Sequence, residues 1–354
     1  MDLEKQQKQP KFIVCVRCLT FNHANYIEDA MNGFTMQETN FPYVCTIIDD
    51  ASTDGEQEVI KKYLQEHFDM EDKSVVRNEE TDDYVLAFAQ HKTNRNCYFV
   101  VLFLKYNHYS IKKPKDQYIK EWLDVKYIAL CEGDDYWIHP IKLQTQFDAL
   151  EGYSDCTVSV NRVKVVEKDK KTTERHIPRV NAFDDTSILT LNDYCREEFY
   201  NGHWCFHTSS FFARRDIFIW YKEHCETIWK NMPYGDMPFI LSCMLNGKVY
   251  FIPDVLGCCR WLSGGYNSMV NNNPRRWIAD NKRLKKALMD FDDYTEKKYH
   301  SFIEKRIWRI DAGIALRYCE VSPFELLKPK YWKYPIGRKR IPMFIIKYIF
   351  SWWK

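Results

Sequence analysis

The sequence predicts an α/β protein whose central sheet is mostly parallel and flanked by helices. Short apolar runs alternate with helix-length amphipathic stretches through the first half of the chain, and this alternation is typical of βαβ units. Acidic residues follow two of the apolar runs directly. With 354 residues, the chain can bury a sizeable core as one large domain or two smaller ones.

The predicted elements follow in a regular order up to about residue 150. Apolar and β-branched residues predict strands at 12–18, 44–48 and 126–131. Amphipathic stretches predict helices at 25–36, 55–68 and 141–150, and Pro140 is placed for the first turn of the last one. Beyond residue 154 the pattern weakens. There it predicts strands at 157–166 and 249–252 and helices at 238–245, 275–289 and 299–319.

Charge and cysteine usage narrow the classes of function. Lys and Arg number 51 against 49 Asp and Glu, so the net charge of +2 lacks the strongly basic footprint of a nucleic-acid-binding protein. The 13 cysteines follow no disulfide framework, and the first residues are unlike a signal peptide, so we expect a reduced, cytoplasmic compartment. No apolar run approaches the roughly 20 residues of a membrane-spanning helix.

Two acidic clusters follow predicted strands. Glu132, Asp134 and Asp135 come directly after the third strand, and a second cluster at 49–55 begins where the second strand ends. Ligands bind beyond the carboxyl ends of parallel strands, so we expect both clusters to contribute to one site. Crowded carboxylates repel one another unless a cation or a ligand hydroxyl compensates them. The alternative is a solvated acidic turn.

Several other site chemistries are excluded. The sequence has neither a G-x-G-x-x-G fingerprint nor a G-x-x-x-x-G-K phosphate loop. Residues 50–55 imitate the start of an EF-hand loop, but Lys61 stands where that loop needs a bidentate Glu. His203 and His207 are spaced like zinc ligands but lack the accompanying Glu, which favours packed or hydrogen-bonding histidines over metal ligation.

Four short motifs occur in an order and spacing that together resemble a known family. They are Cys18-Leu-Thr-Phe-Asn-His-Ala-Asn-Tyr26, Ile48-Asp-Asp-Ala-Ser-Thr-Asp-Gly55, Cys131-Glu-Gly-Asp-Asp-Tyr-Trp137 and Gly235-Asp-Met-Pro238. Over residues 11–268 the chain resembles the family 2 glycosyltransferases of bacterial cell-surface polysaccharide synthesis, which implies the nucleotide-sugar-binding GT-A fold. The division implied is a disordered N-terminus at 1–10, a GT-A domain at 11–270 with nucleotide-binding (11–150) and acceptor (151–270) halves, a helical extension at 271–325 and a basic-aromatic tail at 326–354.

The resemblance assigns nucleotide-sugar contacts to the first two strand ends. Thr20, Phe21 and Asn22 are expected to cradle the base of a nucleoside diphosphate, with the Phe21 ring stacked on uracil. Asp50 is expected to accept a hydrogen bond from the uracil imide N–H. Helix capping is the alternative role for Asp50.

The acidic turn takes the place of the family's DxD motif, with Glu132 replacing the first Asp. Asp134 and Asp135 are expected to contact the ribose and to hold Mg²⁺ or Mn²⁺ on the diphosphate. Hard oxygen donors suit these ions, and a dication stabilises the charge on a departing diphosphate. Gly133 is expected to let the backbone approach the ligand closely.

Asp236 matches the general base of the family. It is expected to take the proton from the acceptor hydroxyl in a single displacement that inverts the anomeric carbon. The alternative is an N-cap for the helix predicted at 238–245. Arg260 is a candidate phosphate contact, although Cys259 and Leu262 stand where the family commonly has Tyr and His.

The tail combines basic and aromatic residues and contains no acidic residue after position 326. This composition favours the headgroup region of an anionic membrane. We therefore expect the protein to lie peripherally on the inner face of the cell membrane. The alternative is that the tail packs against its own catalytic domain.

These observations predict an inverting, metal-dependent glycosyltransferase of the hexosyltransferase class. The donor is expected to be a UDP-linked sugar, and the acceptor a glycan or lipid-linked glycan in surface polysaccharide synthesis. Two alternatives remain open: a catalytically silent module that binds glycan or nucleotide, and a metal-dependent phosphohydrolase. The Asp-x-Asp-x-Thr nucleophile motif of such hydrolases is absent from the sequence.

Overall fold

The computed structural model describes residues 11–72, 76–183, 187–262, 270, 272–318, 324–334, 341–343 and 345–346. The chain divides into two compact units. The first comprises Met1–Leu191, Trp204–Lys222 and Phe239–Trp261, and the second comprises Asn192–His203, Glu223–Pro238 and Leu262–Lys354. The candidate residues at the strand ends belong to the first unit, whereas Asp236 belongs to the second.

Within the described residues, a sheet of 12 strands organises the first unit. In chain order the strands are β1 (Val14–Thr20), β2 (Tyr43–Asp49), β3 (Arg77–Glu80), β4 (Tyr84–Gln90), β5 (Cys97–Leu104), β6 (Tyr127–Glu132), β7 (Tyr136–Trp137), β8 (Cys156–Val166), β9 (Thr172–Ile177), β10 (Ile188–Leu189), β11 (Phe212–Arg214) and β12 (Lys248–Arg260). Across the sheet they lie in the order β10-β12-β8-β11-β6-β1-β2-β5-β4-β3, with β7 paired to β12 and β9 to β8. The predicted α/β fold with a large central sheet is confirmed.

The parallel part of the sheet forms its core. β6, β1, β2 and β5 are parallel neighbours, and β8 and β12 form a second parallel pair. Every residue of β2 and β5 is buried, as is typical of parallel strands that are covered on both faces. The sequence predicted β2 but not β5, because periodicity cannot distinguish a continuous apolar run from a buried helix.

The predicted helices are confirmed, with small changes at their ends. In chain order the helices are α1 (Ile27–Thr35), α2 (Glu56–His67), α3 (Lys142–Gly152), α4 (Leu191–Tyr194), α5 (Arg215–His224), α6 (Asp236–Asn246), α7 (Pro274–Tyr294), α8 (His300–Tyr318) and α9 (Pro329–Trp332), and a π-helix at Cys195–Asn201 continues α4. None of the described helices combines the length and hydrophobicity that crossing a bilayer requires.

Part of the tail packs onto α8 in the second unit. Tyr331 and Ile341 are buried with Trp308 of α8, and the indole N–H of Trp308 donates to the carbonyl of Lys330 across 2.7 Å. Lys333 pairs with Glu304 of the same helix at 2.5 Å. These residues therefore pack on the helical extension, not on the catalytic domain as the alternative had it, and membrane binding stays a prediction.

A lysine is buried in the core of the first unit. Lys142, at the start of α3, is 0% exposed. Its Nζ donates to Gln146 Oε1 across 2.5 Å and lies 4.1 Å from the centre of the Trp137 ring. Burial lowers the pKa of Lys142 to about 7, because apolar surroundings disfavour the charged ammonium form.

This burial predicts a pH-dependent stability. A lysine in the unfolded chain titrates near 10.4, so above about pH 7 the unfolded chain binds a proton that the folded chain lacks, and the free energy of unfolding rises with pH. Relative to Lys142→Met, the wild-type value should rise by about 1–2 kcal/mol between roughly pH 7 and pH 8.5, as measured by urea unfolding. A difference between the two proteins that does not change with pH would contradict the lowered pKa.

Candidate functional site

The carboxyl ends of the parallel strands meet at one edge of the sheet. In the pairing of β1 with its two neighbours, Thr20 lies beside Asp49 and Leu19 beside Glu132. β11 is antiparallel to both β6 and β8, so β6 and β8 run in the same direction. β12 is parallel to β8, so its last residue, Arg260, lies at the same edge as the end of β6. The two acidic clusters therefore lie at the same edge, as the sequence predicted.

The acidic turn after β6 places three carboxylates close together. One oxygen from each of Glu132, Asp134 and Asp135 lies within 4.8 Å of the other two. Glu132 is exposed, Asp134 is half-buried and Asp135 is buried. The turn is anchored by Gly133 N–H, which donates to Leu19 O across 3.0 Å, and by Asp135 N–H, which donates to Glu132 O across 3.1 Å.

The carboxylate of Asp135 accepts two hydrogen bonds and lies beside a histidine ring. The Arg260 backbone N–H donates to its Oδ1 across 2.9 Å, and the Ser209 hydroxyl donates to its Oδ2 across 2.5 Å. The ring nitrogen Nδ1 of His207 lies 3.3 Å from Oδ2. Burial, and then the negative charge of Asp134, raise the pKa of Asp135 well above its usual range. A dication beside this carboxylate would oppose both effects and favour the ionised form.

These donors fit a divalent cation. The oxygens of Asp134 and Asp135, with that of Glu132 nearby, are the hard donors that Mg²⁺ and Mn²⁺ prefer. Asp135 also belongs to a second, fully buried group with His207 and Cys259, whose ligand atoms likewise lie within 4.8 Å of one another. Asp135 is thus the carboxylate that the two groups share.

Gly133 is required by a contact with Thr20. A Cβ at position 133 would lie 2.2 Å from Thr20 Oγ1, 2.5 Å from Thr20 Cβ and 3.1 Å from His23 Nδ1. The sequence interpretation was that this glycine lets the backbone approach a ligand. The structure shows that the glycine lets the acidic turn approach the end of β1.

The contact predicts a large effect of a single methyl group. Gly133→Ala should lower the free energy of unfolding by about 1–3 kcal/mol, the usual cost of overpacking a tight site. Gly152→Ala is the matched control, because a Cβ at Gly152 meets no atom within 4 Å. Urea unfolding of both variants checks the prediction, and equal stabilities would contradict it.

A buried glutamate connects the first two strand ends. Glu56, in the first turn of α2, is 0% exposed. It accepts hydrogen bonds from the Thr20 hydroxyl, from His23 N–H at 2.9 Å and from the Ser52 hydroxyl at 2.7 Å. The sequence did not predict this role, since a glutamate is rarely buried and no local pattern marks the exception.

The residues after β1 adopt a constrained loop. Asn22 has a positive φ of 58°, a conformation that Asn tolerates better than most residues. Its backbone N–H donates to Ser52 Oγ across 2.8 Å, and its Oδ1 accepts from Thr53 N–H across 2.8 Å. The loop leaves the Phe21 side chain 42% exposed, so its ring is available for stacking.

Asp50 organises the segment that follows β5. Its Oδ1 accepts from His108 N–H across 2.7 Å, its Oδ2 accepts from Tyr109 N–H across 3.0 Å, and Lys115 Nζ lies 2.9 Å from Oδ2. A carboxylate offers about four lone-pair positions, so a uracil N–H would share these oxygens with the backbone donors. The predicted contact with the base stays a prediction.

The guanidinium of Arg260 contacts other groups of the protein in this structure. Its guanidinium donates to the carbonyl of Asp134 across 2.6 Å and pairs with Asp29. It also stacks on two rings, with Cζ 5.0 Å from the centre of Tyr26 and 4.6 Å from that of Tyr136. The structure therefore places Arg260 as a support of the acidic turn, and its contact with a phosphate stays a prediction.

In the second unit, Asp236 begins α6, two residues earlier than the predicted helix. Its Oδ1 accepts a hydrogen bond from Met237 N–H, that of the next residue, across 2.8 Å, whereas an N-cap side chain accepts from an N–H two or three residues on. Both the catalytic and the capping roles stay predictions. Also in the second unit, His203 Nδ1 lies 2.7 Å from Glu197 Oε2. His207 belongs to the first unit.

Comparisons with known proteins bear on the fold. No family model matches the chain. Two uncharacterized mycobacterial proteins, Rv1520 of Mycobacterium tuberculosis and Mb1547 of Mycobacterium bovis, are 30% identical over 151 residues, which is 43% of this chain and 35% of theirs. The chain thus spans about a third of the length of the curated relatives it matches.

Solved structures decide the fold class. TarS 1–349 of S. aureus in complex with UDP superposes with a TM-score of 0.51 at 14% identity, over 88% of this chain and 73% of TarS. This is a glycosyltransferase fold. The same protein in complex with UDP-GlcNAc gives a TM-score of 0.51 at 14% identity, over 88% of this chain and 74% of that one. A mannosyltransferase from Pyrobaculum calidifontis, solved with GDP-Man and Mn²⁺, covers 96% of this chain and 86% of its own at 13% identity, but its TM-score of 0.46 is too low to transfer anything to this chain.

The strand order accounts for the position of the site residues, but the contacts of three of them were not predicted from the sequence. Glu56 and Lys115 were missed because their partners are distant in sequence. His207 was singled out for its spacing from His203 and, by the resemblance, for a position that lines the acceptor site. Its partner proves to be Asp135, which the insertion of β11 between β6 and β8 brings close.

Proposed function

We propose that this chain is an inverting, metal-dependent family 2 glycosyltransferase. It moves a hexose from a UDP-linked donor to a glycan or lipid-linked acceptor in surface polysaccharide synthesis. The observation that carries the proposal is the meeting of Thr20, Asp50 and the acidic turn at one edge of a glycosyltransferase fold. Complexes of TarS with UDP and with UDP-GlcNAc, in the same fold, support the choice of donor.

The nucleotide is proposed to bind over the ends of β1 and β2. The exposed ring of Phe21 stacks on the uracil, an interaction of about 1–3 kcal/mol in base–aromatic pairs. Thr20 and Asn22 shape the loop that surrounds the base, and Asp50 accepts from the imide N–H. Lys115 Nζ, 2.9 Å from Asp50 Oδ2, holds this carboxylate in place beside the base.

The diphosphate is proposed to bind at the acidic turn through Mg²⁺ or Mn²⁺. Asp134 and Asp135 would hold the ion, and Asp134, the more exposed of the two, also faces the ribose. When bound, the ion stabilises the negative charge that develops on the leaving diphosphate. Arg260 donates a hydrogen bond to the carbonyl of Asp134 in the turn. It is proposed to reach a phosphate oxygen once the donor is bound.

Asp236 is proposed to be the general base. A carboxylate at this position takes the proton from the acceptor hydroxyl as that oxygen attacks the anomeric carbon. The bond from the anomeric carbon to the diphosphate breaks on the opposite face, so the product has inverted configuration and no sugar becomes bound to the protein. The acceptor hydroxyl loses its proton to Asp236, and the nucleoside diphosphate leaves with the bonding electrons.

Nucleotide release tests the proposed function. The purified chain is incubated with UDP-, GDP- and dTDP-sugars and a polysaccharide or lipid-linked acceptor, with Mn²⁺ or with a chelator. We expect release of UDP that requires the metal and the acceptor. Release of inorganic phosphate instead would indicate a phosphohydrolase, and donor binding without turnover would indicate a silent module. If no sugar nucleotide binds, the proposal is wrong.

The protein is proposed to lie on the inner face of the cell membrane through its tail. Met343 and Ile346 are 66% and 54% exposed, and the tail around them is basic. Replacing both by Ser should lower sedimentation with anionic vesicles about tenfold, because two apolar side chains no longer enter the lipid. Truncation before Lys333 should do the same. Unchanged sedimentation of both proteins would rule out this role, and thermal unfolding checks that both remain folded.

A further inference from the structure

We propose that His207 binds, through Nδ1, the divalent cation that Asp135 holds. The inference rests on the proposed function, because it names a further ligand of the cation at the same site. It starts from the position of His207, which is buried beside Asp135 with Nδ1 3.3 Å from Asp135 Oδ2.

A backbone hydrogen bond identifies the state of Nδ1. The N–H of Ser209 donates to His207 Nδ1 across 3.3 Å. Because a backbone N–H can only donate, Nδ1 is an acceptor here, and since this nitrogen has a single lone pair, an ion that binds it replaces the hydrogen bond from Ser209. In the neutral ring the proton is then on Nε2, which lies 3.1 Å from Cys259 Sγ. The Cys259 sulfur would then accept from Nε2–H, in the position that the outer partners of metal-bound histidines take.

The separation of the two acceptors suits a shared ion. A carboxylate oxygen and an unprotonated ring nitrogen both present lone pairs, so a proton or a cation between them makes their approach to 3.3 Å favourable. Two donors that bind one ion at about 2.0–2.2 Å, with an angle near 100°, are separated by roughly 3.2 Å. The Asp135–His207 pair has this separation before any ion is bound.

The ligand type predicts a metal preference. Imidazole suits Mn²⁺, Co²⁺ and Zn²⁺, whereas Mg²⁺ prefers oxygen ligands. A site built only from Asp134 and Asp135 would accept Mg²⁺ readily. With His207 as a ligand, the chain should bind Mn²⁺ more tightly than Mg²⁺.

The test is to detect the nitrogen ligand directly. Mn²⁺ and UDP are added to the full chain, and electron spin echo modulation is recorded on the Mn²⁺. We expect a ¹⁴N coupling from imidazole that changes when the histidines are labelled with ¹⁵N. Mn²⁺ bound without this coupling would overturn the role of His207 and leave the proposed function standing. Failure to bind Mn²⁺ even with UDP would overturn both.

Two variants give a second readout. In His207→Asn the amide occupies the position of Nδ1 and still accepts from Ser209 N–H, so we expect Mn²⁺ to bind with an oxygen ligand, without the nitrogen coupling and with less preference over Mg²⁺. In His207→Gln the amide moves to the position of Nε2, toward Cys259, and affinity for Mn²⁺ should fall at least about tenfold.

His91→Gln is the matched control. His91 is also buried, but it packs against Phe68 near the end of β4, away from the acidic turn, so its loss should not change Mn²⁺ affinity. If His207→Gln binds Mn²⁺ as tightly as the wild type and His91→Gln, the inference is wrong.

Discussion

Asp135→Asn is expected to lower metal-dependent release of UDP by roughly 10³-fold, because it removes the carboxylate at which the diphosphate cation binds. Binding of Mn²⁺ should be lost with it. The measurements are nucleotide release with saturating donor and calorimetric titration with Mn²⁺. A variant that retains both would show that the cation binds elsewhere.

The variant should nevertheless fold. An Asn at this position can still accept from Arg260 N–H through Oδ1, and its amide N–H, in the position of Oδ2, can donate to the Ser209 hydroxyl oxygen. Since burial raises the pKa of Asp135, the ionised carboxylate costs stability at neutral pH, and the variant should unfold no earlier than the wild type. Glu132→Gln is the matched control. Glu132 is exposed, and we expect its loss to reduce activity only a few-fold.

Asp236→Asn is expected to abolish turnover while donor binding is retained. The amide cannot accept the proton of the acceptor hydroxyl, and loss of a general base costs about 10²–10⁴ in rate. Its oxygen can still accept the hydrogen bond from Met237 N–H, so the start of α6 should be preserved. Activity assays, calorimetry with a UDP-sugar and thermal unfolding separate these effects.

A matched residue distinguishes catalysis from capping. Asp216, in the first turn of α5, accepts from Ile217 N–H across 2.9 Å, much as Asp236 does from Met237. Asp216→Asn should therefore change the stability by about as much as Asp236→Asn and leave turnover intact. Equal loss of turnover in the two variants, or loss of donor binding in Asp236→Asn, would contradict the role of general base.

The edge of the sheet could be predicted from the sequence because parallel topology aligns strand ends. Once β1, β2 and β6 are recognised as strands of βαβ units, the residues that follow them must lie at one edge. This rule placed Asp50 and Asp135 there, whereas Thr20 was assigned by the resemblance to family 2 glycosyltransferases. The local sequence pattern and the parallel topology were enough to predict this edge of the sheet.

The surroundings of these residues could not be predicted in the same way. Arg260 was expected to contact a phosphate, and no pattern in the sequence indicated that its guanidinium would also donate to Asp134 and pair with Asp29, next to the two-residue pairing of β7 with β12. His207 contacts Asp135 only because β11 is inserted between β6 and β8. Such contacts depend on short antiparallel pairings that leave no periodic signal.

The contact between Gly133 and Thr20 has a consequence for how this sequence can change over time. The two positions share one small volume, so neither can enlarge independently of the other. Among relatives that keep the acidic turn, a side chain at the position of Gly133 should occur only where Thr20 is replaced by Gly. Gly133→Ala combined with Thr20→Gly should recover much of the stability that Gly133→Ala loses alone. Divergence of these two positions should therefore be paired, even in relatives whose acceptors differ.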